Sequence, residues 1–570
     1  MNKEAFSKEF PTMNRRTFIK TTGLSLAATL ISDSLFSSIN QPPGQLINLP
    51  DEVSGIIDGH LVRLAGNGYD LWTYNNVSVR LENTGTEIAV LIYAPSVRLS
   101  SITLGWKLPN ESSSQVLNDH WERTYGDVSW HEPTNVEILP WYFLEFNGHS
   151  TNGFGVRTGA SAFCSWQLGK GKLELTLDTR SGGNGVLLSD RQLRAAEIVT
   201  VTSDSDESPF QTVRRFAKRM CGGPRLPKEP LYGINDWYFS YGNNSEQLIM
   251  EHTKMMAPLA DGLANRPFSV IDAGWFLNHP SMPDDCCWGD TMGMANHKFG
   301  DMGLLAERIK NTGMRPGLWT RPLCASYKDP ASLLIPVIKG REANKPVLDP
   351  TIPENLERVQ SYFRLYNQWG YELIKFDFTS FDIFGKWGFE MLKEKSITAA
   401  DWSMNNSGKT NAEIILNLYR AIREAAGATY IIGCNTFGHL SAGIFELNRI
   451  GDDTSGNEWA RTRTMGVNTL AFRGIQHNIF YAADPDCVGI TPKVPWVKNS
   501  QWMRLVAKSG VPLFISAQPE ATGPIQKKEI KEAFDLASRN LPLGEPLDWM
   551  ETPFPKKWKL NGEVEIFDWS

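Results

Sequence analysis

Four short segments place charged groups directly after apolar runs: Val270-Ile271-Asp272-Ala273-Gly274-Trp275, Leu373-Ile374-Lys375-Phe376-Asp377-Phe378, Arg449-Ile450-Gly451-Asp452-Asp453-Thr454 and Asp484-Pro485-Asp486. Lys375 and Asp377 are two residues apart, so on an extended strand they point to the same face. An ammonium beside a carboxylate lowers its pKa and keeps it ionised, the state a nucleophile needs. Asp452 follows a later strand and has Asp453 beside it. Negative charge from Asp377 and Asp453 raises its pKa and suits a general acid, while Arg449 pulls the other way, so the net sign stays open. One ionised and one protonated carboxyl facing each other is the arrangement that cleaves glycosidic bonds; the retaining form needs them about 5–5.5 Å apart.

Each of these residues also has a plainer reading. An Asp after a strand often caps the next helix, and Lys-x-Asp alone serves as a structural ion pair. Asp382, Asp453 and Glu458 are carboxylates of that plainer kind. Cys434 and His439 follow a fifth apolar run and read as pocket wall or core rather than as nucleophiles. There is no G-x-S-x-G elbow, no C-x-x-C and no H-E-x-x-H, so neither a serine triad nor a metal site is expected. The seven cysteines are odd in number and scattered, which is no disulfide framework.

The elements that must position these groups are short strands alternating with amphipathic helices. Strand starts are expected near Tyr232, Ser269, Arg315, Glu372, Tyr430, Glu446, Ile479 and Pro512. Eight such repeats predict a (β/α)₈ barrel, whose reactive groups sit at the C-terminal strand ends. A doubly wound sheet would need a Gly-rich phosphate turn after the first strand, and Tyr232-Gly233-Ile234-Asn235-Asp236-Trp237 has none. One helix is expected from Glu354 to Trp369, with Leu356, Val359, Phe363 and Tyr366 on one face and a capping box opening at Thr351; another runs from Ala412 to Ala426 and stops at Gly427.

Ahead of the barrel, alternating runs such as Val77–Leu81, Ile88–Tyr93 and Leu173–Leu177 predict an N-terminal β-sandwich. Pro209 to Met220 reads as one helix before a Gly/Pro-rich boundary. The expected organisation is a leader at 1–40, a β-sandwich domain at 41–222, the barrel at 223–525, and at 526–570 a helix followed by a short, apparently truncated β segment.

The leader carries Arg15-Arg16 ahead of a modest apolar stretch, Gly23 to Ile31, the pattern of twin-arginine export to the periplasm or beyond. No stretch approaches the length of a membrane span, so no membrane association is expected after the leader is removed. Over the 570 residues, 57 Lys and Arg stand against 63 Asp and Glu, a net charge of −6, which excludes a basic nucleic-acid surface. Tryptophan is in surplus at 19 residues, usable as core filler or as sugar platforms.

With these residues in place, the chain from roughly Leu231 to Ser516 resembles the α-galactosidase-like glycoside hydrolases of clan D, families 27 and 36 (melibiases). The resemblance rests on Lys298-Phe299, Gly303 to Lys310, Thr312-Gly313-Met314-Arg315-Pro316-Gly317-Leu318-Trp319, Trp369 to Asp377, Arg449 to Thr454 and Asp484-Pro485-Asp486. It implies Asp377 as nucleophile and Asp452 as acid/base. It also implies Asp272, Lys375 and Arg449 on glycone hydroxyls, Trp237, Trp275 and Trp319 as apolar platforms, and Cys434 at the pocket. The implied substrate is an oligosaccharide or glycan, with no metal or organic cofactor; the oligomeric state is left open. One departure stands out: the family's second strand ends in two adjacent Asp residues, and here they are Asp272 and Ala273. A lost carboxylate removes charge-assisted hydrogen bonds worth about 1.5–3 kcal/mol each. That keeps two other readings alive: the same mechanism on a β-L-arabinopyranoside or an α-N-acetylgalactosaminide, and a non-catalytic carbohydrate-binding protein on the same fold.

Overall fold

The computed structural model describes residues 46–108, 114–169, 171–277, 292–326, 328–338 and 346–570. The export-leader reading, on residues 1–40, lies outside the described residues.

Eight parallel strands are buried on both faces, as strands must be when helices cover one side and packed side chains fill the other. They are β1 Tyr232–Asn235, β2 Phe268–Ile271, β3 Arg315–Thr320, β4 Leu373–Phe376, β5 Tyr430–Gly433, β6 Leu447–Arg449, a two-piece β7 (Ala482–Asp484 and Cys487–Ile490) and β8 Leu513–Ala517. Registers such as Trp319↔Lys375, Lys375↔Ile432 and Asn448↔Ala483 set the strands side by side. The first piece of β7 pairs with β6 and the second with β8, which pairs with β1, so the sheet closes into a barrel. The break in β7 is at Pro485, which has no N–H to donate, and Asp486, which takes φ 74°. The expected start at Ile479 falls short of the strand because Ile479-Phe480-Tyr481 is a buried apolar turn, which by composition alone reads the same as a strand.

The helices follow their sequence signals with one exception. Pro209–Met220 opens on a capping box from Ser208 and Gln211, and Asn411–Ala426 on one from Thr410 and Glu413, ending at Gly427 with φ 56°. Helix Pro353–Gln368 lacks the box expected at Thr351. Its N-cap is Ile352, and the Thr351 hydroxyl donates to Asp349 Oδ1 instead.

Thirteen antiparallel strands among the described residues, from Glu52 to Thr202, form the β-sandwich. Strand His60–Gly66 joins its two layers, pairing along most of its length with Glu52–Ile57 and at its end with Leu71–Tyr74. The chain closes with a small antiparallel sheet, Glu545–Pro546, Lys557–Leu560 and Glu563–Ile566. Trp558 and Trp569 are buried beneath it, and Glu565 bridges to Arg504 and Lys508 of the helix Trp496–Lys508.

One sandwich segment, Asp119 to Tyr125, reaches the C-terminal end of the barrel. Thr124 N–H donates to Ile450 O at 3.0 Å and Asp452 N–H donates to Thr124 O at 2.8 Å, so the segment adds a short parallel bridge beyond β6. At its start, buried Asp119 accepts from Arg473 Nε at 2.5 Å and Gln476 Nε2 at 2.7 Å. A wholly buried ion pair of this kind costs about 3–5 kcal/mol when one partner is removed, which fixes the segment firmly.

Candidate active site

A cavity of about 490 Å³ opens where β2, β3, β4 and β6 end. Its floor is built by neighbouring strands. Asp272 follows β2, and its carboxylate accepts from Lys375 Nζ at 2.8 Å, from Asn235 Nδ2 at 2.7 Å and from the Ala273 N–H at 2.8 Å. Lys375 lies on β4 and is 9% exposed. Burial is the largest influence and works against its charge, yet Asp272 and the other groups around it together hold the ammonium well above its ordinary pKa. Beneath them Asp236 Oδ1 accepts from the Asp272 N–H, and burial together with the charge of Asp272 pushes the Asp236 carboxyl up to about 6.

Asp377 is half-buried and faces this floor. Trp319 Nε1 donates to its Oδ2 at 3.2 Å, and the Phe378 N–H donates to its Oδ1 at 2.8 Å. The second bond depends on Phe378 taking φ 64°, a left-handed conformation that a bulky residue adopts only when its surroundings enforce it. Here the Arg321 guanidinium sits 4.1 Å over the Phe378 ring and is itself held by Asp382. Gly274 turns the chain after β2 at φ 118°; a Cβ there would meet Gly242 O at 2.4 Å.

The rim carries Asp452 and Asp453, beyond β6. Both oxygens of Asp452 are engaged by guanidiniums, Oδ1 by Arg123 at 2.7 Å and Oδ2 by Arg461 at 2.7 Å. Its neighbours are therefore cations, not the carboxylates expected from sequence, and Arg449 does not bond it. Arg449 instead lies behind the cavity wall, 1% exposed, on Asp453 and Asp486 at 3.1 Å each. Asp453 has one oxygen on Arg449 and near Arg123 (3.7 Å), and 37% of its side chain is open to the cavity. Burial raises its pKa, but Arg449, Arg123 and Lys375 prevail and hold it at about 2.

Of the residues expected from sequence, Asp272, Lys375, Asp377, Asp452, Trp237 and Trp319 line one cavity. Three, Arg449, Trp275 and Cys434, stand behind its wall. Trp275 is fully buried, donates to Trp319 O at 2.8 Å and packs edge-on against Tyr366 and Trp369, so it supports Trp319 rather than offering a platform. Cys434 is buried, with its Sγ 3.6 Å from Arg449 Nη1. Asp486 accepts from Arg449, Tyr238 and Thr454, bracing the broken β7. Arg123, Tyr125, Arg321, Phe378, Trp387 and Phe389 line the cavity without having been singled out from sequence. Arg321 and Phe378 each sit just past a strand end and were legible by that rule. Arg123 and Tyr125 come from the other domain and carry no local signal.

No protein-family model matches the chain, and no curated protein matches it in sequence. Solved structures do share its fold. An α-galactosidase from Thermus thermophilus, in complex with p-nitrophenyl α-D-galactopyranoside, superimposes with a TM-score of 0.57 at 17% identity, over 90% of this chain and 99% of its own. A family 36 α-galactosidase from Geobacillus stearothermophilus gives 0.58 at 14% identity, over 86% and 75%. An α-galactosidase from Lactobacillus brevis gives 0.53 at 14% identity, over 86% and 69%.

Proposed function

We propose that this protein is an exported retaining glycoside hydrolase that cleaves terminal α-galactosides. The observation that carries this reading is the meeting in one cavity of Asp377, backed by the Lys375–Asp272 pair, with the carboxylates beyond β6. Asp377 attacks the anomeric carbon. A rim carboxylate protonates the departing oxygen and then activates the water that releases the sugar. The likeness in fold to galactosidases solved with galactosides supports this choice of substrate.

Geometry divides the rim pair. Asp452, the residue assigned from sequence, spends both oxygens on arginines. Asp453 keeps an oxygen toward the cavity, and we assign the proton transfer to it. With its pKa held at about 2, Asp453 is a carboxylate, the form that activates water. Substrate that fills the cavity strips water from Asp453, which works against the arginines and moves its pKa upward from that low value. Lys375 and Asp272 bind glycone hydroxyls, and Trp237 and Trp319 present apolar faces.

The test is a panel of aryl α- and β-glycosides, with the product anomer followed by NMR. α-Galactose as first product from an α-galactoside supports the reading; an inactive panel returns the protein to the class of sugar binders. A second reading is favoured by Ala273, which lines the cavity where a second carboxylate would face the sugar. In that case β-L-arabinopyranosides or α-N-acetylgalactosaminides in the same panel outpace galactosides.

A further inference from the structure

We infer that the N-terminal β domain and the segment after β4 together build the leaving-group half of the cavity, as a subsite for the flat apolar face of an aryl group or a sugar ring. This rests on the proposed hydrolase reading and adds to it the chemistry of the second recognition element. Four rings stand together at the rim. Tyr125, from the β domain, meets Phe389 edge-on at 5.0 Å, and Phe378 meets Trp387 at 5.6 Å. One guanidinium ties the two pairs to the chemistry. Arg123 stands 5.9 Å from the centre of the Tyr125 ring and 5.8 Å from that of Trp387, while it bonds Asp452 at 2.7 Å. The rings therefore flank the carboxylates that must face a departing oxygen.

Depth separates the two halves in the same sense. Asp272 at the floor is 2% exposed, whereas Phe389 at the mouth is 45% exposed, a large apolar ring left open beside a cavity it lines. A glycone seated on Lys375 and Asp377 directs its anomeric substituent away from the floor, toward these rings. Tyr125 is held in place for this role. Its hydroxyl donates to Glu122 Oε2 at 2.5 Å, and buried Glu122 also accepts from Ser380, Asn435 and the Gly388 N–H. The β domain thus reaches the loops after β4 and β5 through one carboxylate and offers the ring of the next turn to the ligand.

The experiment measures calorimetric binding of 4-nitrophenyl and methyl α-D-galactopyranoside to full-length Asp377→Ala, alone and combined with Phe389→Ala or Tyr125→Ala. The expected result is that each ring deletion lowers the aryl-over-methyl affinity ratio about fivefold to tenfold. Phe389→Tyr, which keeps a ring, restores the ratio. Phe389 is half in solvent, so its variant tests the subsite even if Tyr125→Ala does not fold. An unchanged ratio in Phe389→Ala overturns the inference while leaving the hydrolase reading intact. If Asp377→Ala binds neither galactoside, the galactoside reading falls and the inference with it.

Discussion

The floor and the rim of the cavity are built on opposite plans. The floor takes Asp272, Lys375 and Asp377 from β2 and β4, two strands apart in one sheet, and its charges satisfy one another at 2.8 Å. The rim takes Asp452 and Asp453 from beyond β6 and pairs them with Arg461 and Arg449 of the barrel and with Arg123 of a different domain. A self-contained floor keeps its geometry whatever the sandwich does. A rim shared between domains ties the carboxylates proposed to transfer the proton to the packing of Asp119–Tyr125. In the proposed reading the binding and attacking groups therefore belong to the barrel alone, while proton transfer and leaving-group recognition depend on both domains.

The largest effect is expected at the floor. Asp377→Ala should lower turnover by about 10⁴-fold or more, because the carboxylate proposed to attack is lost. Its thermal unfolding should stay near that of the parent, since a half-buried side chain with two donors is all that is lost. Retained activity would break the assignment of the floor as the attacking half.

At the rim, Asp453→Asn should cost about 10²–10³-fold with poor leaving groups and much less with a dinitrophenyl leaving group, which needs no proton. Asp452→Asn should cost about tenfold on both, as loss of an arginine anchor rather than of a proton donor. The reverse order would return the acid/base role to Asp452.

That division also marks what the sequence made legible. The barrel, its strand ends and the floor could be read because each rests on local pattern: Lys-x-Asp at a spacing of two, and apolar runs ended by polar residues. The rim could not. Thr124 and Ile450 meet across 326 residues, and nothing around Arg123 signals that its side chain leaves the sandwich. Trp275 misled for a related reason. A strand-end aromatic is equally suited to a cavity wall or to the layer behind it, and only the turn at Gly274 decides which. Asp452 and Asp453 are adjacent and chemically identical, so only the arginines around them tell them apart.

A mid-sized effect tests the dependence on the second domain. Arg123→Ala removes one partner of an almost buried pair, 8% and 14% exposed, and should lower kcat about 10–100-fold while destabilising the protein. Arg123→Lys should recover little, because an ammonium cannot span Asp452 and Asp453 as a guanidinium does. If kcat holds in Arg123→Ala while stability falls, the rim is tied to the sandwich for folding only.

The smallest effect concerns the support beneath the floor. A carboxyl whose pKa rises on folding adds stability at low pH and loses it as pH climbs through the folded value. With Asp236 at about 6, that loss falls between about pH 4 and 6. Relative to the parent, Asp236→Asn should gain on the order of 2 kcal/mol in urea denaturation from pH 4 to pH 7. A difference that stays flat with pH would mean that Asp236 ionises freely and that the floor is less sealed than its burial indicates.

The division between floor and rim comes to its sharpest point at the bond that Asp377 is proposed to form. Incubating the protein with a 5-fluoro α-galactosyl fluoride and mapping the adduct by peptide mass spectrometry reads that bond directly. The expected result is one galactosyl ester on the peptide carrying Asp377 and none on the peptide carrying Asp452 and Asp453. An ester on the rim pair, or turnover of the fluoride with the β anomer as first product, would contradict the assignment.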